Sequence, residues 1–494
     1  MTAELGARDE ATAAADARLA PVPALLRRVA RLRGRRSGRR RPPPSESRRS
    51  IFDPALRLTS VGLVILVTLI AFEAMSVATA MPTAARRLHG LSHYGWAFSG
   101  FIIANVVGLV ISGAMSDRSG PRRPLVAGLV AFTGGLFVAG TATDMGQLVA
   151  GRVVQGLGGG LLITAIYVVI GEGYSAALRP KMFAAISSAW VVPSLVGPPV
   201  AGFLTQHVSW RAVFLGLVPL VALGGVLMVP ALRSLSGHPR STDPAAWGRL
   251  TRALAVAVGV AVLLQAGQQP SWPWLAAAVA GAATLGWGVV GLVPAGTLRI
   301  RQGVPATVAL RGLLAGAMFG TESLIPLALT VQHGYGPTEA GLPLLGSALG
   351  WASGSWWQGR DAMAGRRSTL VRSGFAFMAS ACAGAAVAAV PSAPGWLMYV
   401  AWPVAGLGAG LAMSSVGVIM LDLTTDEDRG RDSSALQLSD NVVSAFTTGL
   451  GGVLVAAAVH SYISYTAAFV GLDLTMVAVA LVGVRFAGRT RSGG

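Results

Sequence analysis

An all-α, polytopic membrane protein is the fold class this sequence predicts, on three observations. Charged residues make up 12% of the 494 positions and hydrophobic ones 53%, whereas a soluble domain carries roughly 25% charged residues. The mean hydropathy is +0.60. The apolar residues are also gathered into uncharged runs of about 20, the length a helix needs to cross a bilayer.

Taken in order, residues 1–50 form a basic Ala/Arg/Pro-rich tail with 13 of the chain's 38 arginines and no run of spanning length. They read as a disordered cytoplasmic tail, with a short basic amphipathic helix over Leu25 to Arg33 on an anionic lipid surface as the alternative. Arg27–Arg49 separates the tail from a first apolar segment long enough to span, so it is not a secretory signal. Fourteen spans follow, at about 58–82, 94–116, 123–143, 146–171, 182–206, 211–231, 252–268, 272–293, 305–331, 338–359, 369–390, 395–421, 433–459 and 463–485. Only Gln265–Pro270 separates the seventh from the eighth.

Loop charges support this count. The even-numbered loops hold Arg118, Arg122 and Arg123, then Arg179 and Lys181, then Arg233, Arg240 and Arg249. The series continues through Arg299 and Arg301, then Arg360, Arg366 and Arg367, then Arg429 and Arg431, while the odd-numbered loops hold Arg86, Arg87 and Arg211. The positive-inside rule therefore puts both termini in the cytoplasm. A repeat is visible too: Asp117, Arg122 and Arg123 after span two and Asp361, Arg366 and Arg367 after span ten share one offset of 244 residues. The organisation expected is a tail (1–50), a six-span half (51–231), a linker with two extra spans (232–303) and a second six-span half (304–494). Duplicated halves around a central pathway are a transporter architecture.

The composition excludes several function classes. Net charge is +18 with a single lysine, Lys181, but a membrane protein concentrates arginine in its cytoplasmic loops, so no nucleic-acid partner is expected. The lone cysteine, Cys382, cannot form a disulfide framework and reads as a small buried hydrophobe. The six histidines lack metal-ligand spacing, no nucleophile–base pair stands out, and no phosphate loop is present. Neither an enzyme nor a cofactor is expected.

Span two ends in Gly113-Ala-Met-Ser-Asp117-Arg118-Ser-Gly120-Pro-Arg122-Arg123, which resembles the loop signature of the major facilitator superfamily. Gly113 is expected to let two helices approach closely. The resemblance implies that Asp117 latches an inward gate against the helix beginning near Asp432-Ser433-Ser434. In span four, Gly151-Arg152-Val-Val-Gln155-Gly156-Leu-Gly158 is similar to the superfamily's R-x-x-Q-G-x-G motif, implying that Arg152 faces a cavity and couples to proton movement. In span five, Gly197-Pro198-Pro199-Val-Ala-Gly202, then Trp210-Arg211-Ala-Val-Phe214, is similar to the exporters' antiporter motif. Pro198 removes a backbone bond, and Gly197 and Gly202 permit a bend. Span one carries Glu73, Ser76, Thr79 and Pro82, a partial match to the span-one pattern of fourteen-span drug:proton antiporters, with Glu in place of Asp. The resemblance, covering about 55–486, implies a divergent member with two six-helix halves and two inserted helices.

The intramembrane acids carry the chemistry. Glu73, Glu322, Asp440 and Asp473 lie inside spans, where each charge costs about 2.5–3.5 kcal/mol or more and calls for a compensating reason. An acid that alternates between charged and neutral is what a proton-coupled carrier requires. Glu73, Glu322 and Asp440, with Arg152, are the expected coupling residues. The bland alternative is a structural hydrogen bond or pairing with Arg152 or Arg311. Gln437, Asp440, Asn441 and Ser444 fall on one helical face, and a polar face must meet protein or water. Gln437 and Asn441 are therefore cavity candidates, and so are Trp190, one turn before Pro193 in span five, and Asn105 in span two. The expected activity is export of a lipophilic or amphipathic small molecule against protons, by a monomer in a bacterial cytoplasmic membrane. A carrier of an endogenous metabolite or lipid, and a non-transporting sensor or scaffold, are the alternatives.

Overall fold

The computed structural model describes residues 50–490 except 55, 176–177, 235–244, 270 and 426–428. The basic tail, with the amphipathic alternative over Leu25 to Arg33, lies outside the described residues. Fourteen long helical segments make up the described chain, without a strand. They are α1 (Arg57–Arg87), α2 (Trp96–Ser119), α3 (Arg122–Gly140), α4 (Met145–Gly173), α5a and α5b (Arg179–Ser188, Val191–His207), and α6a and α6b (Arg211–Leu215, Leu217–Ser234). Next come α7 (Ala245–Gln268), α8 (Trp272–Leu292), α9 (Val304–Gln332), α10 (Pro337–Gln358), α11 (Arg367–Ala388), α12 (Leu397–Leu423), α13 (Arg429–Val459) and α14 (Tyr465–Phe486). In hydrocarbon, backbone N–H and C=O groups must be satisfied within the segment, which the helix does.

Thirteen of these segments are long and apolar enough to cross a membrane. The fourteenth, α10, falls short for a packing reason. Its inward positions are small residues that let α12 approach closely, so it carries less apolar bulk: a Cβ at Gly346 would lie 2.7 Å from Pro403 Cγ, and one at Gly354 2.9 Å from Leu411 N.

Two expected continuous spans are broken. The fifth divides between Ser188 and Val191, and the sixth between Leu215 and Leu217. Pro193 cannot donate to Ala189, nor Pro219 to Leu215, so each ladder is interrupted four residues before a proline. The α2 helix ends where Gly120, at φ 73°, takes a left-handed conformation and donates to Ser116 O at 2.8 Å.

The pairings in 57–234 recur in 304–486. Helix α4 packs on α2 and α3, as α12 packs on α10 and α11; α1 packs on α5b and α6b, as α9 packs on α13 and α14. The two sets meet through α2 with α13 and α5b with α10. Helices α7 and α8 form a hairpin that docks through α7 on α2 and α13, leaving α8 almost wholly on the outside. Glycine seams close the α3–α4 and α11–α12 contacts: a Cβ at Gly158 would lie 2.7 Å from Phe132 Cα, and one at Gly408 3.0 Å from Phe377 Cβ.

Candidate functional site

Four buried or half-buried charged groups meet in two pairs. Glu73 of α1 forms a contact ion pair with Arg152 of α4, and both side chains are almost inaccessible, at 1% and 4%. Arg152 Nη1 also donates to Gln155 Oε1 at 2.7 Å, and its Nε donates to Ala97 O of α2 at 3.0 Å. The guanidinium lies 4.2 Å from the centre of the Phe101 ring, an arrangement favourable for a desolvated cation. Glu73 presents Oε1 to the arginine, while Glu73 Oε2 and Gln155 Nε2 are buried without a hydrogen-bond partner. Three helices thus converge on one ion pair, whose carboxylate keeps one oxygen unused.

The second pair joins Arg311 of α9 to Asp440 of α13. Arg311 Nε donates to both Asp440 oxygens, at 2.9 and 2.8 Å, and its Nη1 donates to Met413 O of α12 at 3.1 Å. This pair is wetter, with Arg311 24% exposed. Asn441 Nδ2 and Ser444 Oγ, beside Asp440 on α13, are buried without partners.

The other two acids have no arginine. Glu322 Oε2 accepts from Trp402 Nε1 at 3.0 Å, and Asp473 lies buried in α14 near Thr321, whose hydroxyl lies 3.8 Å from Cys382 Sγ. Cys382 is fully buried.

At the end of the bundle bearing the odd-numbered loops, the two sets of helices are locked together. Tyr94, wholly buried in the α1–α2 turn, donates its hydroxyl to Ser323 O of α9 at 2.8 Å. Thr338 Oγ1 donates to Gln206 Oε1 at 2.8 Å, and Gly95 lies against Gly452. Tyr94→Phe keeps the ring and removes one buried bond, about 1 kcal/mol, so opening of this end should become about fivefold more frequent. The rate at which a membrane-impermeant maleimide modifies Thr79→Cys, in a Cys382→Ser background, measures it; an unchanged rate would mean the bond does not hold this end shut.

Comparison with known proteins decides the family. The family model described as Major Facilitator Superfamily matches residues 63–382. The chain belongs to the Major Facilitator Superfamily. A protein of Mycobacterium tuberculosis named as a probable multidrug-efflux transporter is 29% identical over 461 residues, 86% of this chain and 93% of that one. An uncharacterized MFS-type transporter of the same organism is 31% identical over 230 residues, 46% of this chain and 38% of that one, so this chain spans well under two-thirds of that relative's length. A crystal structure of a mutant of the peptide transporter POT, in complex with alafosfalin, superposes with a TM-score of 0.62 at 18% identity, covering 87% of this chain and 94% of that one. That likeness shows the fold alone.

Within this superfamily member the motif residues fall in varied places. Gly113 is not at a close approach: a Cβ there would meet nothing within 4 Å. The α2 face that meets α4 carries Gly108 and Ser112, the latter donating to Leu161 O at 2.8 Å, and Gly113 lies about 100° round the helix from Ser112. Asp117 makes no hydrogen bond or ion pair among the described residues, so the latch implied by the resemblance is not made in this structure. Arg118 sits 5.3 Å over Trp247 of α7, and Arg122 and Arg123 are exposed.

The α5b motif meets two helices. A Cβ at Gly197 would lie 3.2 Å from Met75 Cβ of α1, and one at Gly202 2.6 Å from Thr338 Cα of α10, with Pro198 buried between them. Among the cavity candidates, half-buried Asn105 donates to Gly156 O at 3.4 Å, Trp190 is 37% exposed at the α5a–α5b break, and Gln437 is exposed. Sequence reasoning passed over Tyr94 and Trp402 and did not pair Gln155 with Arg152; only Gln155 carried a signal, three residues from Arg152 on the same helix face.

Proposed function

We propose that this chain is a secondary active exporter. It moves a lipophilic or amphipathic small molecule out of a bacterial cell in exchange for protons, by alternating access in the cytoplasmic membrane with both termini inside. The observation that carries this reading is the buried Glu73–Arg152 pair with Glu73 Oε2 unbonded. The relative named as a multidrug-efflux transporter, aligned over most of both chains, supports it.

A proton arriving at Oε2 neutralises Glu73 and weakens the pair, leaving Arg152 to Gln155 and the Ala97 carbonyl. Loss of that proton restores the full ion pair and the α1–α4 contact. Arg152 is thus the counter-ion that lets Glu73 exist charged in a dry site, and the exchange alternates between two arrangements of the same helices. Asp440, paired with Arg311, and Glu322, bonded to Trp402, are the buried acids of the second half and support the exchange without carrying the proton that substrate displaces from Glu73. The odd-loop end, closed here by Tyr94, is read as the outer face. Gly120 and the Arg118, Arg122 and Arg123 cluster shape the inner-end turn, and Asp117 closes that end when the halves rock outward. Gly197, Pro198 and Gly202 give α5b its bend against α1 and α10. Asn105, Trp190, Gln437 and Asn441 line the path, the monomer being the working unit in the bilayer. A membrane potential of 100 mV supplies about 2.3 kcal/mol per charge moved, enough to support a gradient of roughly fifty-fold.

Transport in proteoliposomes tests the exchange. Under an imposed inward proton gradient, a panel of lipophilic cations and neutral drugs should include compounds whose movement dissipates the gradient. Gradient-independent movement of every transported compound would overturn proton antiport.

A further inference from the structure

The inserted hairpin builds a site that the exchange mechanism does not use. After α8 the chain turns through Gly296 (φ 93°) and Ile300 (φ 48°), both left-handed, before α9 starts at Val304. Two hollows adjoin at this turn and share Val293, Thr297 and Leu298. One, of about 350 Å³, is bordered by Arg299 and Arg301. The other, of about 190 Å³, is an apolar cleft running from Val289 of α8 to Leu313 of α9 and Val443 of α13.

Charge at this turn is of one sign. Arg299 and Arg301 are exposed and make no ion pair among the described residues. Arg489 Nη1 donates to Ile300 O at 3.0 Å, and Arg252 Nη1 donates to Gly291 O at 2.6 Å. Two guanidiniums, Arg299 and Arg301, therefore border the hollow that adjoins the apolar cleft at the even-loop end, and two more are bound to the backbone nearby, at Ile300 and Gly291. Exposed apolar side chains, Val290 at 62% and Leu298 at 66%, line the first hollow, and Leu298 lines the cleft as well. It lies apart from the Arg311–Asp440 pair, which is turned toward Met413 of α12.

We propose that this is a binding site for an anionic phospholipid of the surrounding leaflet. Its phosphate rests on Arg299 and Arg301, and one acyl chain lies in the cleft between α8, α9 and α13. A zwitterionic lipid fits the cleft equally but leaves the cations uncompensated; a soluble anion satisfies the cations but leaves the cleft unfilled. An ordinary membrane constituent supplies both parts at high local concentration. The acyl chain lies beside the seam where Gly312 meets Ser439 and Val443.

Native mass spectrometry of the purified full chain tests this, with dioleoylphosphatidylglycerol titrated against dioleoylphosphatidylcholine. The wild type should retain the anionic lipid roughly tenfold to thirtyfold more tightly, the weight of two surface cations on an anionic lipid. Arg299→Gln/Arg301→Gln should bring it down to the zwitterionic level at an unchanged melting temperature. Ala309→Trp, which fills the cleft and keeps the arginines, should lose it too. Arg366→Gln/Arg367→Gln, removing the same charge from another turn at that end, should leave it. The proposal fails if the Arg299/Arg301 variant retains the anionic lipid like the wild type, or if the Arg366/Arg367 variant loses it equally. It also fails if Ala309→Trp changes nothing, or if inorganic phosphate displaces the lipid at matched concentration.

Discussion

Replacing Arg152 with methionine is expected to cost about 3–5 kcal/mol of stability and to abolish transport. The substitution leaves Glu73 in a dry site with no counter-ion, so it must either stay an unpaired charge or be held protonated and unable to exchange, and removing one partner of a buried pair costs more than removing both. Ala97 O and Gln155 Oε1 lose their donor as well. Glu73→Gln/Arg152→Met, which removes both charges, should recover most of the stability and none of the activity. Arg311→Met should be milder, because that arginine is already 24% exposed and water can replace it beside Asp440. Melting temperatures in detergent, read alongside efflux from cells, check all three. An Arg152→Met protein as stable as the wild type would mean that Glu73 does not need its arginine.

The second large effect is steric. At Gly158 even a methyl group would lie 2.7 Å from Phe132 Cα and 2.9 Å from the Ala131 carbonyl carbon, and backbone cannot step aside as a side-chain tip can. Overpacking costs about 1–3 kcal/mol where side chains can adjust, so Gly158→Leu should reach or exceed that range. It should prevent α3 from docking on α4 and abolish the monodisperse peak in size-exclusion chromatography. Gly113→Leu is the matched comparison: a Cβ there meets open space, and the profile should match the wild type. Equal behaviour of the two variants would refute the glycine seam.

The contrast between those two glycines marks where the sequence stops being readable. The spans are legible because an uncharged run of twenty residues has few other physical uses, and α10 remains legible between its bounding turns although it is too rich in small residues to pass as strongly apolar. The α5 and α6 breaks had a visible cause in Pro193 and Pro219. What the pattern around Gly113 does not specify is which way a residue faces, which depends on a neighbouring helix that arrives later in the chain. The ion pairs were legible as a possibility, since buried acids call for Arg152 or Arg311, but which acid meets which arginine was not, because 79 residues separate Glu73 from Arg152 and 129 separate Arg311 from Asp440. Trp402 and Tyr94 gave no warning, since a tryptophan or tyrosine near a membrane is commonplace.

Proton release on substrate addition tests the central claim most directly. Adding a lipophilic cation to the purified protein in weak buffer should release protons from the wild type and none from Glu73→Gln, which keeps the side-chain shape and cannot exchange a proton. Equal release from the variant would contradict the assignment of the exchange to Glu73 and move it to Asp440 or Glu322.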